Sequence, residues 1–294
     1  MSSVVMRALL VGAIGLCFTA PVFAQVLGPS LSYTENFDSM GAAGTAPPAG
    51  WQVFQIAGAS STWTNGTGSN SVPAIGAIPN GTAVAGGTAS VGLVANDNPT
   101  ANQVNGYNAT GASGATSDRG IATAPTGIAG SAIQLQISNG TGAAQNALML
   151  SYDIRRYQIG ADAAGRSPPA GIPEGSDELP GYWLFYSLDN GTNFTAVDSL
   201  IPVGAGPSSQ PIVPNTLGVT NIANALFALS GPWNAGTNLI LRWIDDNAID
   251  PSPDEIIGID NVQLAVPEPT NLLLSVVALL ASGGFVWGRC RRAT

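Results

Sequence analysis

Chemistry in this chain has to be done by carboxylates, because few other reactive side chains are present. The 294 residues contain 18 Asp and Glu, nine Arg, no Lys and no His. A Ser-His-Asp or Cys-His nucleophile cannot be built from that set, and the commonest metal ligand is missing. Acids can hold divalent cations or act as acid–base pairs on sugars. The densest run is Asp245-Asp246-Asn247-Ala248-Ile249-Asp250-Pro251-Ser252-Pro253-Asp254-Glu255, with five carboxylates on one loop. These repel one another unless a cation or solvent intervenes. Its spacing is not that of an EF-hand, and a rigid solvated loop accounts for it equally well. Asp260 is different, since it sits inside an apolar run where an ionised carboxyl without a partner is costly. It is expected to meet a cation, Arg242 or a backbone donor.

Aromatic residues are the other candidates. Trp51 follows Pro-Ala-Gly and Trp233 follows Gly-Pro, so both are placed in turns where an indole could form a platform for a sugar ring. Trp183 and Trp243 lie within apolar runs and are expected to pack in the core. Ser187 to Phe194 fits S-x-D-x-G-x-x-F, which resembles the Asp-box turn of sialidase-like propellers. A propeller needs that repeat in several blades and one copy is present, so the segment is expected to be a hairpin turn.

The elements that position these residues read as strands. Gly 37 and Pro 21 make up about a fifth of the chain, which disfavours long helices. Ile133, Leu135 and Ile137 alternate with polar residues, and Leu239, Leu241 and Trp243 share a similar period of two. Runs at 32–37, 147–159, 182–187, 194–197 and 255–264 are rich in aromatic and β-branched residues. Asn221 to Leu229 alone has the spacing of a short helix. Asn-Gly-Thr recurs at Asn65, Asn80, Asn139 and Asn190 and suggests primed turns. Residues 58–130 are poor in bulky side chains and are expected to form edge strands with long loops. Strands without helical crossovers predict an all-β fold, an antiparallel β-sandwich of jelly-roll type over 25–265.

The two ends carry addresses. Arg7, the apolar run Ala8 to Phe18 and Val22-Phe23-Ala24 before Gln25 predict a signal peptide over 1–24, read by the Sec translocon. At the other end Val266-Pro267-Glu268-Pro269 precedes the apolar stretch Leu272 to Trp287 and then Arg289, Arg291 and Arg292. A single C-terminal transmembrane helix over 271–288 is expected, its basic end cytoplasmic and the main domain outside. Pro267, Glu268 and Pro269 with this span and basic terminus resemble the PEP-CTERM sorting signal of Gram-negative bacteria. The resemblance implies an exosortase partner that cuts near the motif after transient residence in the inner membrane. A plain uncleaved anchor is the alternative. Residues 25–265 carry five arginines against 17 acids, a net charge of −12, so nucleic acid is not an expected partner. Both cysteines, Cys17 and Cys290, fall outside this domain.

A second resemblance rests on Glu35-Asn36-Phe37-Asp38-Ser39-Met40, Pro48-Ala49-Gly50-Trp51, Ser117-Asp118-Arg119, Leu239 to Asp246 and Gly258-Ile259-Asp260-Asn261-Val262. These look like the jelly-roll domain of many exported bacterial proteins, similar to MAM, cleaved-adhesin and carbohydrate-binding modules. By that resemblance, and if the first and last strands are neighbours, Glu35 or Asp38 would approach Asp260 in a structural Ca2+ site; Asp245 and Asp246 of the acid-rich loop are separate candidate Ca2+ ligands. The expectation is a non-catalytic surface or extracellular-matrix protein, structural or adhesive, with exopolysaccharide as a partner. A secreted glycan-active hydrolase using paired carboxylates is the alternative.

Overall fold

Alternating apolar residues between Gly, Pro and Asn turns favour strands, and strands carry almost all of the regular structure. The computed structural model describes residues 25–28, 31–56, 88–89, 92–100, 106–125, 130–158, 182–200, 217–246 and 255–267. The expected signal peptide, the tail from Glu268 with its span, and the centre of the acid-rich loop lie outside these residues. The strands are β1 (Gln25–Leu27), β2 (Ser32–Glu35), β3 (Trp51–Ile56), β4 (Thr88–Ala89), β5 (Val94–Ala95), β6 (Tyr107–Thr110) and β7 (Arg119–Thr123). They continue with β8 (Gly130–Asn139), β9 (Gln145–Gln158), β10 (Trp183–Ser187), β11 (Thr195–Ala196), β12 (Gly218–Trp233), β13 (Asn238–Asp246) and β14 (Ile256–Ala265). Short 3-10 turns occupy Asp38–Met40 and Asp198–Leu200. Among the described residues no helix is long and apolar enough to cross a membrane.

Among the described residues two seven-stranded sheets result. The first runs β11-β10-β13-β8-β3-β4, with β1 added beside β8. The second runs β12-β9-β14-β7-β6-β5, with β2 added beside β14. Pairing is antiparallel except for β1 with β8 and β5 with β6. The architecture is therefore all-β, mostly antiparallel and two-sheeted, consistent with a sandwich.

The core lies between the sheets. Ile133, Leu135 and Ile137 of β8 and Leu239, Leu241 and Trp243 of β13 are fully buried, in one cluster with Leu148, Leu150 and Ile154 of β9 and Ile257, Ile259, Val262 and Leu264 of β14. Burying each aliphatic side chain stabilises by about 1.5–3 kcal/mol before entropy is counted. A chain of rings crosses between the sheets. Phe37 meets Trp51 edge-on at 4.8 Å, Trp51 stacks on Trp243 at 5.7 Å, and Trp243 meets Tyr152 edge-on at 5.8 Å.

Three sequence expectations change. Asn221 to Leu229 is not a helix but the middle of β12. Asn224 takes a φ of 52° and the register against β9 shifts between Ile222 and Ala225, so the bulge turns a period-two strand into one with a three-residue step. That step imitates helical spacing. Second, β13 is buried on both faces, because Arg242 lies between the rings of Phe54 (4.5 Å) and Phe194 (4.7 Å) and donates to Gln134. Third, β4 and β5 are edge strands as expected of 58–130, but β7 is interior, between β14 and β6. Small residues suit that position: a Cβ on Gly120 would stand 2.9 Å from the Ile259 carbonyl oxygen. Asn190 and Gly191 both have positive φ, as a primed turn needs, whereas Asn139 ends β8 at a crossing between sheets and donates to the Ala143 and Trp233 carbonyls.

Candidate functional site

Strand β14 determines where polar groups can gather. One flank pairs with β9, while the other is shared, β7 taking Ile257 to Ile259 and β2 taking Val262 to Ala265. At the seam the register against β9 slips, and Asn261 adopts a φ of 51°. Asp260 sits at this bulge and is 1% exposed. Its Oδ2 accepts from the Ala112 N–H at 2.7 Å and its Oδ1 from the Asn261 N–H at 2.6 Å. Of the expected partners, backbone donors are the ones present, and Arg242 belongs to the other sheet. The loop reaches the carboxylate only because residue 111 is Gly, where a Cβ would lie 2.3 Å from Oδ2. Burial raises the Asp260 pKa to about 7, against the lowering effect of the two N–H donors, with the charges of Asp118 and Asp153 adding to the rise.

The loop between β6 and β7 is held by a buried arginine. Arg119 is fully buried and donates from Nε and Nη2 to the side chain and carbonyl of Asn108, and from Nη1 to the Thr116 carbonyl and the Asp97 carboxylate at 2.6 Å. Asn108 in turn donates to the Gly41 and Gly44 carbonyls. This hub ties the segment after β2 to the second sheet. Its sequence signal was the Ser117-Asp118-Arg119 triplet, combined with the scarcity of cations.

The neighbouring of first and last strands is observed, since β2 pairs with β14 and Glu35 stands opposite Val262. The Asp38 carboxylate accepts the Arg119 backbone N–H (2.9 Å) and the Asn36 amide (2.8 Å), and Glu35 accepts the Phe37 N–H (2.8 Å). Glu35, Asp38 and Asp260 thus lie along one seam but are engaged as backbone caps. Among the described residues no group of three or more acids, His or Cys is placed to hold a metal ion.

Asp245 is buried and accepts from the Thr123 hydroxyl at 2.5 Å; that hydroxyl also meets the Tyr182 hydroxyl at 2.8 Å, which donates to the Ile257 carbonyl. The network ties β13 of the first sheet to β7 and β14 of the second. Asp246 ends β13 opposite Gly130, and its side chain lies outside the described residues. Glu255, at the far end of the acidic run, forms a buried ion pair with Arg156, Nη2 to Oε1 at 2.9 Å. These two ends of the run are therefore core groups rather than solvated ones.

Trp51 and Trp233 need correcting as sugar platforms. Trp51 is 2% exposed, stacked on Trp243 and donating to the Tyr33 hydroxyl, and Trp233 is fully buried and donates to the Thr237 carbonyl. A ring so enclosed offers no face to a ligand; both residues end or begin strands and turn inward. Trp183 and Trp243 are core residues as expected. The Asp-box segment is a hairpin turn between β10 and β11. The Asp189 carboxylate accepts the Thr192 and Asn193 N–H groups and Phe194 is buried beneath. Hydrogen bonds from Asn193, backbone first, hold the Asp189 pKa down to about 2. Val266 separates Pro267 from the end of β14, its N–H donating to the Leu31 carbonyl, and Glu268 and Pro269 lie outside the described residues.

No protein-family model matches the chain, and no curated protein matches it. Among solved structures the chain is similar to the insecticidal delta-endotoxin Cry8Ea1 from Bacillus thuringiensis, at 9% identity and a TM-score of 0.29 over 61% of this chain. It spans 22% of that protein's length. A likeness that distant carries no argument about activity.

Proposed function

We propose that this is an exported, non-catalytic surface or extracellular-matrix protein, with a structural or adhesive β-sandwich of jelly-roll type that engages exopolysaccharide. The single observation that carries the proposal is the tail: Pro267-Glu268-Pro269, an apolar span and a terminal arginine cluster, paired with a signal peptide at the other end. The described strands lie between the two expected cuts: β1 spans Gln25–Leu27 and β14 ends two residues before Pro267. Trimming at both sites would leave every described strand of both sheets in place. In this reading the Sec translocon exports the chain, the span holds it briefly in the inner membrane, and an exosortase releases it.

A carboxyl with a pKa near neutrality is a feature of acid–base sites, which is the one observation favouring a glycan hydrolase. Asp260, however, is 1% exposed with both oxygens engaged, so no glycosidic oxygen reaches it. The decisive experiment is intact mass and cell fractionation of the native protein beside a variant with Pro267, Glu268 and Pro269 changed to Ala. The expected product starts near Gln25 and ends near the motif, and the variant stays uncut in membranes. A wild-type chain that keeps its tail through Thr294 and remains in the inner membrane overturns the sorting reading.

A further inference from the structure

Among the described residues the scarce cations of the domain divide into two kinds. Arg119 and Arg156 each hold a carboxylate, and Arg242 is enclosed by two rings and Gln134. Arg155 differs. It is half-buried on β9, its Nη1 donates to the Gly111 carbonyl, and its guanidinium lies 5.1 Å from the Tyr157 ring centroid. Among the described residues no carboxylate forms an ion pair with it. A guanidinium presents five N–H donors in a planar fork, so most of this one's capacity is left for something else.

Arg155 lines a groove of about 260 Å³ between the loop after β6 and the start of β12. Its walls include Asn98, Ser113, Gly114, Arg156, Leu217 and Val219, and among the described residues no Asp or Glu lines it. The grooves beside Glu35 and beside Asp198 each contain an acid. In a chain with 18 acids and nine arginines, a groove whose described walls carry Arg155 and no acid opposes an anion less than the grooves beside Glu35 and Asp198 do, and Arg156 is already paired with Glu255. The nearby acids are turned to other work: the Asp118 Oδ2 accepts the Ser113 N–H at 2.5 Å, and Asp260 is buried. Leu217 is 62% exposed and Val219 44%, an apolar wall that water does not favour. Tyr157 lies under the guanidinium and is itself 4% exposed, so it supports the cation rather than a ligand.

A planar fork matches a carboxylate, the apolar wall suits the C–H face of a pyranose, and the Ser113 and Asn98 side chains suit hydroxyls. We infer that this groove is a subsite for an acidic sugar residue, a uronate within an exopolysaccharide, with Arg155 binding the carboxylate. The inference rests on the polysaccharide reading above and names the class of sugar.

The test is calorimetric titration of the purified full chain at low salt with tetragalacturonate and with its neutral methyl ester. The acid should bind about tenfold or more tightly than the ester, and Arg155→Gln should lose a similar factor. Arg155→Lys, which keeps the charge without the fork, should fall between. Because Arg155 also holds the Gly111 carbonyl, Leu217→Ser serves as a second variant on an exposed side chain and should weaken binding at an unchanged unfolding midpoint. Equal binding of acid and ester, or affinity unaltered in both Arg155→Gln and Leu217→Ser, overturns the inference. So does acetate binding as tightly as the tetramer, which would reveal a bare anion site. Host exopolysaccharide retained equally by wild type and Arg155→Gln overturns this subsite and leaves the polysaccharide reading standing. Retention of neither polymer nor tetramer by the wild type overturns both.

Discussion

Asp260 is the residue on which the corner of the second sheet turns. Its folded-state pKa of about 7 lies above the value near 3.9 of an unfolded aspartate, so the folded chain binds more protons between those limits. Stability therefore falls as pH rises from about 4 through about 7, the reverse of a salt-bridged carboxylate. Urea midpoints at ~pH 5 and ~pH 8 should show a less stable protein at the higher pH, and Asp260→Asn should flatten that dependence. A wild-type midpoint that rises with pH, or a slope kept by Asp260→Asn, would contradict this account. The sequence singled out Asp260 because a carboxyl in IIGIDNV is awkward anywhere. Its partner was not legible, since Ala112 stands 148 positions away and contributes only a backbone N–H, which leaves no side-chain signature. The Ser117-Asp118-Arg119 triplet drew attention to Arg119, but its role as a hub was not legible for a related reason, because three of its four acceptors are an amide side chain or backbone carbonyls rather than acids.

At the scale of elements, the pairing of β9 with β14 brings Arg156 and Glu255 together inside the fold, with side chains 1% and 4% exposed. Removing one charge from a buried pair costs more than the pair contributes, because the other charge has no solvent to turn to. Glu255→Gln should cost about 3–5 kcal/mol in denaturant unfolding, and replacing both residues by apolar ones of similar volume should recover most of that loss. A cost near zero would show that water reaches the pair. Which strands exist was largely readable: β2, β8, β9, β10, β13 and β14 fall where alternation and aromatic content placed them. What misled was local irregularity. The Asn224 bulge gave β12 a helical period, and β7, with the composition RGIAT, hid an interior strand because packing against Gly258 calls for small residues rather than large ones. Turn positions flattered Trp51 and Trp233, as a residue beside a turn can face inward as easily as outward.

The described part of the molecule is held by a large core between two sheets and a smaller cluster around Tyr107, Tyr157 and Ile256, with no cysteine among them. Residues 25–265 contain no cysteine, so dithiothreitol should leave the unfolding midpoint of the purified chain unchanged. A downward shift would mean that Cys17 or Cys290 is retained and joined in a disulfide, to each other or to a second chain. The shared flank of β14 has a further consequence, mechanical in kind. The strand that ends two residues before Pro267 is held along one side by β9 and along the other by β7 and β2. Tension transmitted through the tail is directed along the axis of that strand, so its rows of cross-strand hydrogen bonds are loaded in shear, all together. An edge strand in the same place would be unzipped one bond at a time. The fold puts a strand anchored along both flanks at the point where a tether would pull.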